Sequence, residues 1–204
     1  MALELQDLGK TYGDRVALQS VDLRVEPGEA CLLVGPNGSG KSTLLGLVAG
    51  LRVPTSGSAR IDGLPTRDPA ARVSLGVLFE RARLPPHHSL VRLLGALGRD
   101  PGSLLSALGL AEHRDRPLGT LSSGLHQRAA LCLALAGSPR WIVLDEPLTA
   151  LDGPTSEVVV GIVAERVRAG AGALIATHRH DAWAPVSTGV AVLEGGRLSM
   201  GARP

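Results

Sequence analysis

Gly35-Pro36-Asn37-Gly38-Ser39-Gly40-Lys41-Ser42-Thr43 fits the pattern G-x-x-x-x-G-K-[ST], and its flanks decide how it is read. Ala30-Cys31-Leu32-Leu33-Val34 before it is a short apolar strand candidate. Leu44-Leu45-Gly46-Leu47-Val48-Ala49 after it reads as a buried helix. Strand, glycine loop and helix is the order of a phosphate-binding P-loop. Glycines let the backbone turn inward so that its N–H groups converge on phosphate oxygens, and the following helix presents its unpaired N–H groups and positive dipole end to the same anion. A side chain at Gly38 or Gly40 would block that approach. Lys41 is expected to reach the β- and γ-phosphates, Ser42 to ligate Mg²⁺ through its hydroxyl, and Thr43 to bond another phosphate oxygen. Lys10 and Lys41 are the only lysines in the chain. Where arginine otherwise supplies the positive charge, a lysine at the position that needs a compact ammonium is informative.

Two further apolar runs end in polar groups. Trp141-Ile142-Val143-Leu144-Asp145-Glu146-Pro147 reads as a central parallel strand closing on two carboxylates. Neighbouring strand residues point oppositely, but where the chain is already turning the two can take different roles at one site. Asp145 would hold Mg²⁺ through water and Glu146 would accept a proton from an attacking water; a solvent-facing Asp-Glu-Pro turn is the plain alternative. Leu174-Ile175-Ala176-Thr177 is another strand, with His178 at its C-terminal end. There a histidine can hydrogen-bond a γ-phosphate or hold the water; with His180 it is otherwise a chance pair or a partial metal site.

At 204 residues with a net charge of +2, the chain has room for one α/β domain and is only mildly basic. An aromatic content of 2% offers few stacking platforms, so a nucleic-acid partner is not expected. Cys31 and Cys132 fall in apolar strand and helix candidates and read as buried thiols rather than a disulfide or metal pair. No signal peptide is expected from Met1 to Asp7. No run of about 18 apolar residues is present, so work at a membrane would need another chain as anchor.

In chain order, residues 2 to 8 and 16 to 25 read as strands around Thr11-Tyr12-Gly13-Asp14, where Tyr12 either stacks on a base or sits half-buried on a strand edge. Ala59 to Gly63 is a short strand and turn, and Arg72 to Phe79 a further strand. Glu80 follows it, as a metal- or water-contacting carboxylate or a solvated loop residue. Pro85-Pro86-His87-His88 breaks the chain, with the histidines read as surface residues. Ser89 to Leu97 and Gly102 to Leu110 are two short helices of an insertion beside the sheet. Leu121-Ser122-Ser123-Gly124 opens a helix from Leu125 to Ala136, as an ordinary capped start or as a second phosphate-binding terminus. One chain is unsuited to bring both helix ends to one γ-phosphate; two facing chains can. A helix from about Pro154 to Ala169 and a hairpin of Gly189 to Leu193 with Arg197 to Met200 complete the chain.

The order of these motifs resembles the ATP-binding subunit of ABC transporters over essentially the whole chain. Gly35 to Thr43 matches that family's Walker A, Leu121 to Leu125 its signature, Trp141 to Glu146 its Walker B, Thr149 to Asp152 its D-loop and His178 its switch histidine. Tyr12 falls where the family has its base-stacking aromatic. The resemblance implies a P-loop ABC-ATPase α/β fold: a mainly parallel sheet, an N-terminal antiparallel β subdomain and a helical subdomain at about 81–138, within one domain, 1–204. It implies ATP and Mg²⁺ as cofactors, Ser42, Glu80 and Asp145 around the metal, and Lys41, Glu146 and His178 as catalytic groups. It also implies a second ATP-binding subunit contributing Ser122 and Gly124, an integral membrane permease docked between Glu80 and Thr120, and a cytoplasmic, membrane-peripheral location. Two departures stand out. The signature reads Leu-Ser-Ser-Gly-Leu, and Glu80 replaces the usual glutamine. Glu80-Arg81-Ala82-Arg83-Leu84 looks like the version found in drug, antibiotic and sodium exporters, which implies export. A haem-exporter-type subunit, or a soluble ATPase of the same superfamily acting on another partner, are the alternatives.

Overall fold

The computed structural model describes residues 1–80 and 83–201. The chain opens with β1 (Leu3–Tyr12) and β2 (Arg15–Val25), an antiparallel pair closed by Gly13-Asp14. β1 is longer than the alternation suggests. The polar pair Gln6-Asp7 interrupts the period-two pattern because the pairing shifts there, with Asp7 and Ser20 both at φ near +50° (48 and 49) in an irregular stretch of the ladder. β3 (Ala30–Val34) leads into the glycine loop and α1 (Lys41–Val48). β4 (Ser56–Ile61) and β5 (Leu64–Pro65) then join the first two strands in a four-stranded antiparallel sheet ordered β2-β1-β4-β5.

Next come α2 (Pro69–Val73) and β6 (Leu75–Leu78). The expected strand from Arg72 to Phe79 is therefore too long. Asp68 caps a helical turn, its carboxylate accepting the Ala70 N–H at 2.8 Å, and Pro69 sits at the first helical position. That start signal outweighs the apolar Val73, which is 82% exposed.

The insertion holds α3 (Leu90–Ala96), capped by Ser89, the four-residue α4 (Leu104–Ala107), and two 3₁₀ turns at Ala111–His113 and Leu118–Thr120. Both helices are shorter than expected, because Gly98 and Gly109, at φ +60° and +64°, end them. Arg81 and Ala82, part of the segment likened to exporters, lie outside the described residues. α5 (Ser123–Leu135), β7 (Trp141–Asp145), α6 (Gly153–Arg168), β8 (Gly172–Ala176), α7 (His180–Trp183), β9 (Gly189–Glu194) and β10 (Arg197–Gly201) complete the order.

The second sheet is ordered β10-β9-β3-β8-β7-β6; all its pairs are parallel except β9–β10. Every residue of β7 and β8 is buried, which is why these strands read as unbroken apolar runs. α1 packs between the two sheets: Leu44, Leu45, Leu47 and Val48 share a core with Leu3, Leu5 and Ile61 of the first and Val143 and Leu174 of the second. Burial of each such leucine stabilises by about 1.5–3 kcal/mol. On the other face of the parallel sheet α3 to α7 build a separate core around Leu94, Leu131, Val159, Val163 and Trp183. The glycine loop is thus anchored by an interior helix; His178 follows β8, which pairs with β3, and Asp145 ends β7, the next strand beyond β8. Among the described residues no helix is long and apolar enough to cross a membrane.

Candidate functional site

The C-terminal ends of β3, β7 and β8 meet at one edge of the parallel sheet, the edge at which such sheets bind ligands. A cavity of about 530 Å³ lies there. Tyr12, Arg15 and Ala17 of the β1–β2 hairpin line one part of it. Asn37, Gly38, Gly40, Lys41, Ser42 and Thr43 line its floor, and Glu80, Asp145, Glu146 and His178 close the far end.

The loop keeps its course because two positions admit only glycine. Gly40, at φ +112°, caps α1, and a Cβ there would stand 2.7 Å from the Ala17 carbonyl oxygen; a Cβ on Gly35, at φ +150°, would collide with the carbonyl of Leu193. Gly38 differs: a Cβ there would meet nothing closer than Arg15 Nη2 at 4.0 Å, so this is where the loop's backbone faces open space. Ser39 is buried, with an Oγ that has no hydrogen-bond partner among the described residues. Lys41 is 8% exposed. Its Nζ donates to the carbonyls of Gly35 (2.7 Å) and Pro36 (3.1 Å), holding the ammonium across the loop.

Asp145 is buried, and burial pushes its carboxyl above the ordinary value; Glu80 adds to this, while the Ser42 hydroxyl, Lys41 and His178 oppose it. Glu146 follows in the left-handed region, at φ 48°, with its N–H donating to Ala176 at 2.9 Å. That turn is what lets two consecutive carboxylates line one cavity. Burial also raises the Glu146 carboxyl, against the pull of His178 and Lys41. His178 bridges the site: its Nε2 is 3.0 Å from Asn37 Oδ1 and 3.5 Å from Glu146 Oε1. Glu146 Oε1 itself is buried without a hydrogen-bond partner among the described residues, an acceptor turned toward a space that can supply a donor.

Tyr12 ends β1 and is 40% exposed. Its ring lies 4.8 Å from Lys10 Nζ and 5.6 Å from the Arg52 guanidinium, and its hydroxyl accepts from Arg52. The two nearby cations help to hold the ring's orientation.

Among the described residues no group of three or more His, Cys, Asp or Glu is placed to hold a metal ion. The oxygen donors Ser42, Glu80 and Asp145 share the cavity but are too few to enclose a cation. This donor set fits Mg²⁺, which keeps waters and takes phosphate oxygens alongside one or two carboxylates. The open backbone at Gly38 and the lysine beside it fit a polyphosphate.

Two expected residues stand apart. Ser122 caps α5, its Oγ accepting the Leu125 N–H at 3.3 Å, and neither Ser122 nor Gly124 lines the cavity. A Cβ on Gly124 would instead come within 3.2 Å of the Ala150 carbonyl. That places the start of α5 against the 147–152 loop. Gln127 donates to the Pro147 carbonyl at 3.0 Å, Arg128 pairs with Asp152 at 3.1 Å, and Arg179 donates to the Leu148 carbonyl at 3.5 Å. Sequence reasoning missed this bracing, as it missed Arg15 and Ala17. The signal for the latter two was available: in a tight hairpin the residue opposite Tyr12 shares its face.

The family model described as "ABC transporter" matches residues 18–149. The chain belongs to the ABC transporter family. Two relatives of this ABC-family chain are an aliphatic sulfonates import ATP-binding protein, SsuB 2, of Burkholderia cenocepacia (strain HI2424), and a lipoprotein-releasing system ATP-binding protein, LolD 1, of Rhodospirillum rubrum. The first is 40% identical over 187 residues, covering 88% of this chain and 68% of the relative; the second is 39% identical over 183 residues, covering 80% and 81%. A solved ATP-binding cassette, a dimeric post-hydrolysis state bound to ADP and Pi, superposes with a TM-score of 0.85 at 27% identity and 99% coverage of both chains. The fold is that of an ABC ATPase cassette, and the protein is an ABC-type ATPase. Import and release systems both occur among its relatives, so the exporter subtype does not follow from kinship.

Proposed function

We propose that this ATPase is the nucleotide-binding subunit of a transporter, working on the cytoplasmic face of a membrane through a separate integral permease. The observation that carries the reading is the division of the predicted site: one cavity gathers Lys41, Asp145, Glu146 and His178, while Ser122 and Gly124 stand outside it. A second subunit, facing the first, would bring its own Ser122 and Gly124 to the γ-phosphate, as the dimeric cassette among the structural relatives suggests. ATP then acts as a ligand that prefers the closed pair, and hydrolysis reopens it.

In this reading Tyr12 stacks on the adenine. The backbone from Gly35 to Gly40 and the side chains of Lys41 and Thr43 hold the phosphates, and Ser42, Asp145 and Glu80 hold Mg²⁺. The bound metal neutralises charge on the phosphate oxygens. Glu146 accepts the proton of the attacking water as its oxygen bonds to the γ-phosphorus and the bond to ADP breaks. His178, placed by Asn37, donates to the γ-phosphate oxygens. Residues 1–204 act as one ATPase unit, with the segment around 81–138 as the permease-docking part. Exposed Leu97 within that segment supplies apolar surface for a partner helix. Export is the direction we assign, on the likeness of the Glu80–Leu84 segment alone.

The test is to express Glu146→Gln in the native host, solubilise in mild detergent and identify what copurifies by mass spectrometry. A stoichiometric polytopic membrane protein is expected. Recovery only from the soluble fraction, alone or with ribosomes or nucleic acid, would retain the ATPase and end the transport reading.

A further inference from the structure

The fixed charges of the cavity are unevenly placed. Glu80, Asp145 and Glu146 gather at the strand ends, and Lys41 is committed to the loop carbonyls beside them. At the part bounded by Tyr12 and Ala17 one cation lines the wall, Arg15. The two-residue turn sets Arg15 directly opposite Tyr12 in the hairpin register, so their side chains stand on the same face. Arg15 Nη2 comes 4.0 Å from the point where a Cβ on Gly38 would stand, the stretch of loop open to a ligand. The other cations near Tyr12 are spoken for: Lys10 donates to the Val53 carbonyl at 2.8 Å, and Arg52 to the Tyr12 hydroxyl. Among the described residues the Arg15 guanidinium has no hydrogen-bond acceptor or carboxylate partner, although it borders a site built for a polyanion.

We propose that Arg15 binds the phosphate nearest the ribose and thereby sets how tightly the site retains nucleotide. This rests on the reading of the cavity as the ATP site. A base stacked on Tyr12 and a γ-phosphate at Lys41 and His178 leave the α-phosphate between them, beside Gly38 and within reach of the Arg15 fork. A guanidinium presents two parallel donors to one phosphate, which an ammonium does not. The α-phosphate is common to ATP and ADP, so Arg15 holds product as firmly as substrate. It is a determinant of nucleotide affinity and release, separate from the groups that act on the γ-phosphate.

The experiment measures equilibrium binding of ATP and ADP to the purified full chain, as wild type, Arg15→Met and Arg15→Lys, at two salt concentrations, with circular dichroism confirming the fold. For Arg15→Met we expect both Kd values to rise by the same factor, about tenfold. The salt dependence should flatten, Arg15→Lys should recover part of the loss, and in steady-state hydrolysis the change should fall on KM more than on kcat. Kd values within about twofold of wild type for the Met variant would overturn the proposal. Weakening of ATP alone would also overturn it, since that pattern belongs to a γ-phosphate contact. A wild-type chain that binds neither nucleotide would remove the ATP-site reading and Arg15's role with it, whereas only the pattern across variants bears on Arg15 by itself.

Discussion

Glu146→Gln should make the protein inactive and more stable at once. The wild-type carboxylate is held in a left-handed turn, largely out of solvent, with His178 Nε2 3.5 Å from Oε1 but no hydrogen bond to that oxygen among the described residues. Leaving a buried acceptor unsatisfied costs about 1–3 kcal/mol, at the upper end for a charged group. Gln keeps the shape and the turn but removes the charge, so relief of about 1 kcal/mol is expected, which raises Tm by about 2–4 °C in a chain of this size. Removing a general base costs about 10²–10⁴ in rate. The pH dependence gives a second handle. Burial raises the Glu146 carboxyl in the folded protein, so the folded state holds that proton more tightly than the unfolded chain. The group's stabilising contribution is therefore present below the unfolded pKa and is lost as pH rises through the folded one. The thermal advantage of Gln should be largest at neutral to alkaline pH and shrink toward about pH 4, where an ordinary glutamate takes up its proton. Phosphate release, differential scanning fluorimetry across pH, and size-exclusion light scattering with ATP and Mg²⁺ read the three consequences, the last expecting a trapped dimer. Hydrolysis within about tenfold of wild type would remove Glu146 as the base, and a lower Tm would mean that its carboxylate anchors the turn rather than waiting for a donor.

Two other outcomes follow from the same geometry. The acid limb of the kcat/KM profile should lie above the ordinary glutamate value of about 4.3, because the base must be ionised and burial holds its proton; a limb at or below that value would contradict a desolvated base. Gly172→Ala places a methyl against the buried Trp141 ring, within 2.9 Å of ring carbons that have no room to move. Overpacking of this kind costs about 1–3 kcal/mol, or roughly 2–12 °C in Tm. As Gly172 begins β8, at the edge remote from His178, hydrolysis per folded molecule should hold in a calorimetric and steady-state comparison.

The parts of the site that were legible in the sequence are those where chemistry and local structure coincide. Gly35 to Thr43 carries its own explanation, since backbone N–H groups, a lysine and a helix start are contiguous. Asp145 and His178 could be placed because an apolar run implies a parallel strand and its end implies the ligand edge. Less was visible where position depends on distant partners. Arg15 is unremarkable until Tyr12 is seen opposite it. The bracing of the 147–152 loop by Gln127, Arg128 and Arg179 needs three elements packed together. The misread stretch at Arg72 shows two local signals in conflict, an Asp-Pro helix start and an apolar residue at 73, and the cap prevailed.

The strand that carries the glycine loop is flanked on both sides by partners made far later. β3 pairs with β8 and β9, and Ala30 shares hydrogen bonds with Thr188, 158 residues on. At translation rates of about 5–20 residues per second, roughly 8–30 s separate the synthesis of Ala30 from that of Thr188. Throughout that interval both edges of an apolar strand lack their native neighbours, and the Leu193 carbonyl that packs against Gly35 does not yet exist. Parallel pairings across such separations also pay their loop closure before any contact rewards it. The nascent chain therefore passes through a prolonged aggregation-exposed stage, and its phosphate-binding loop, synthesised well before β8 and β9, waits for them to take its working shape.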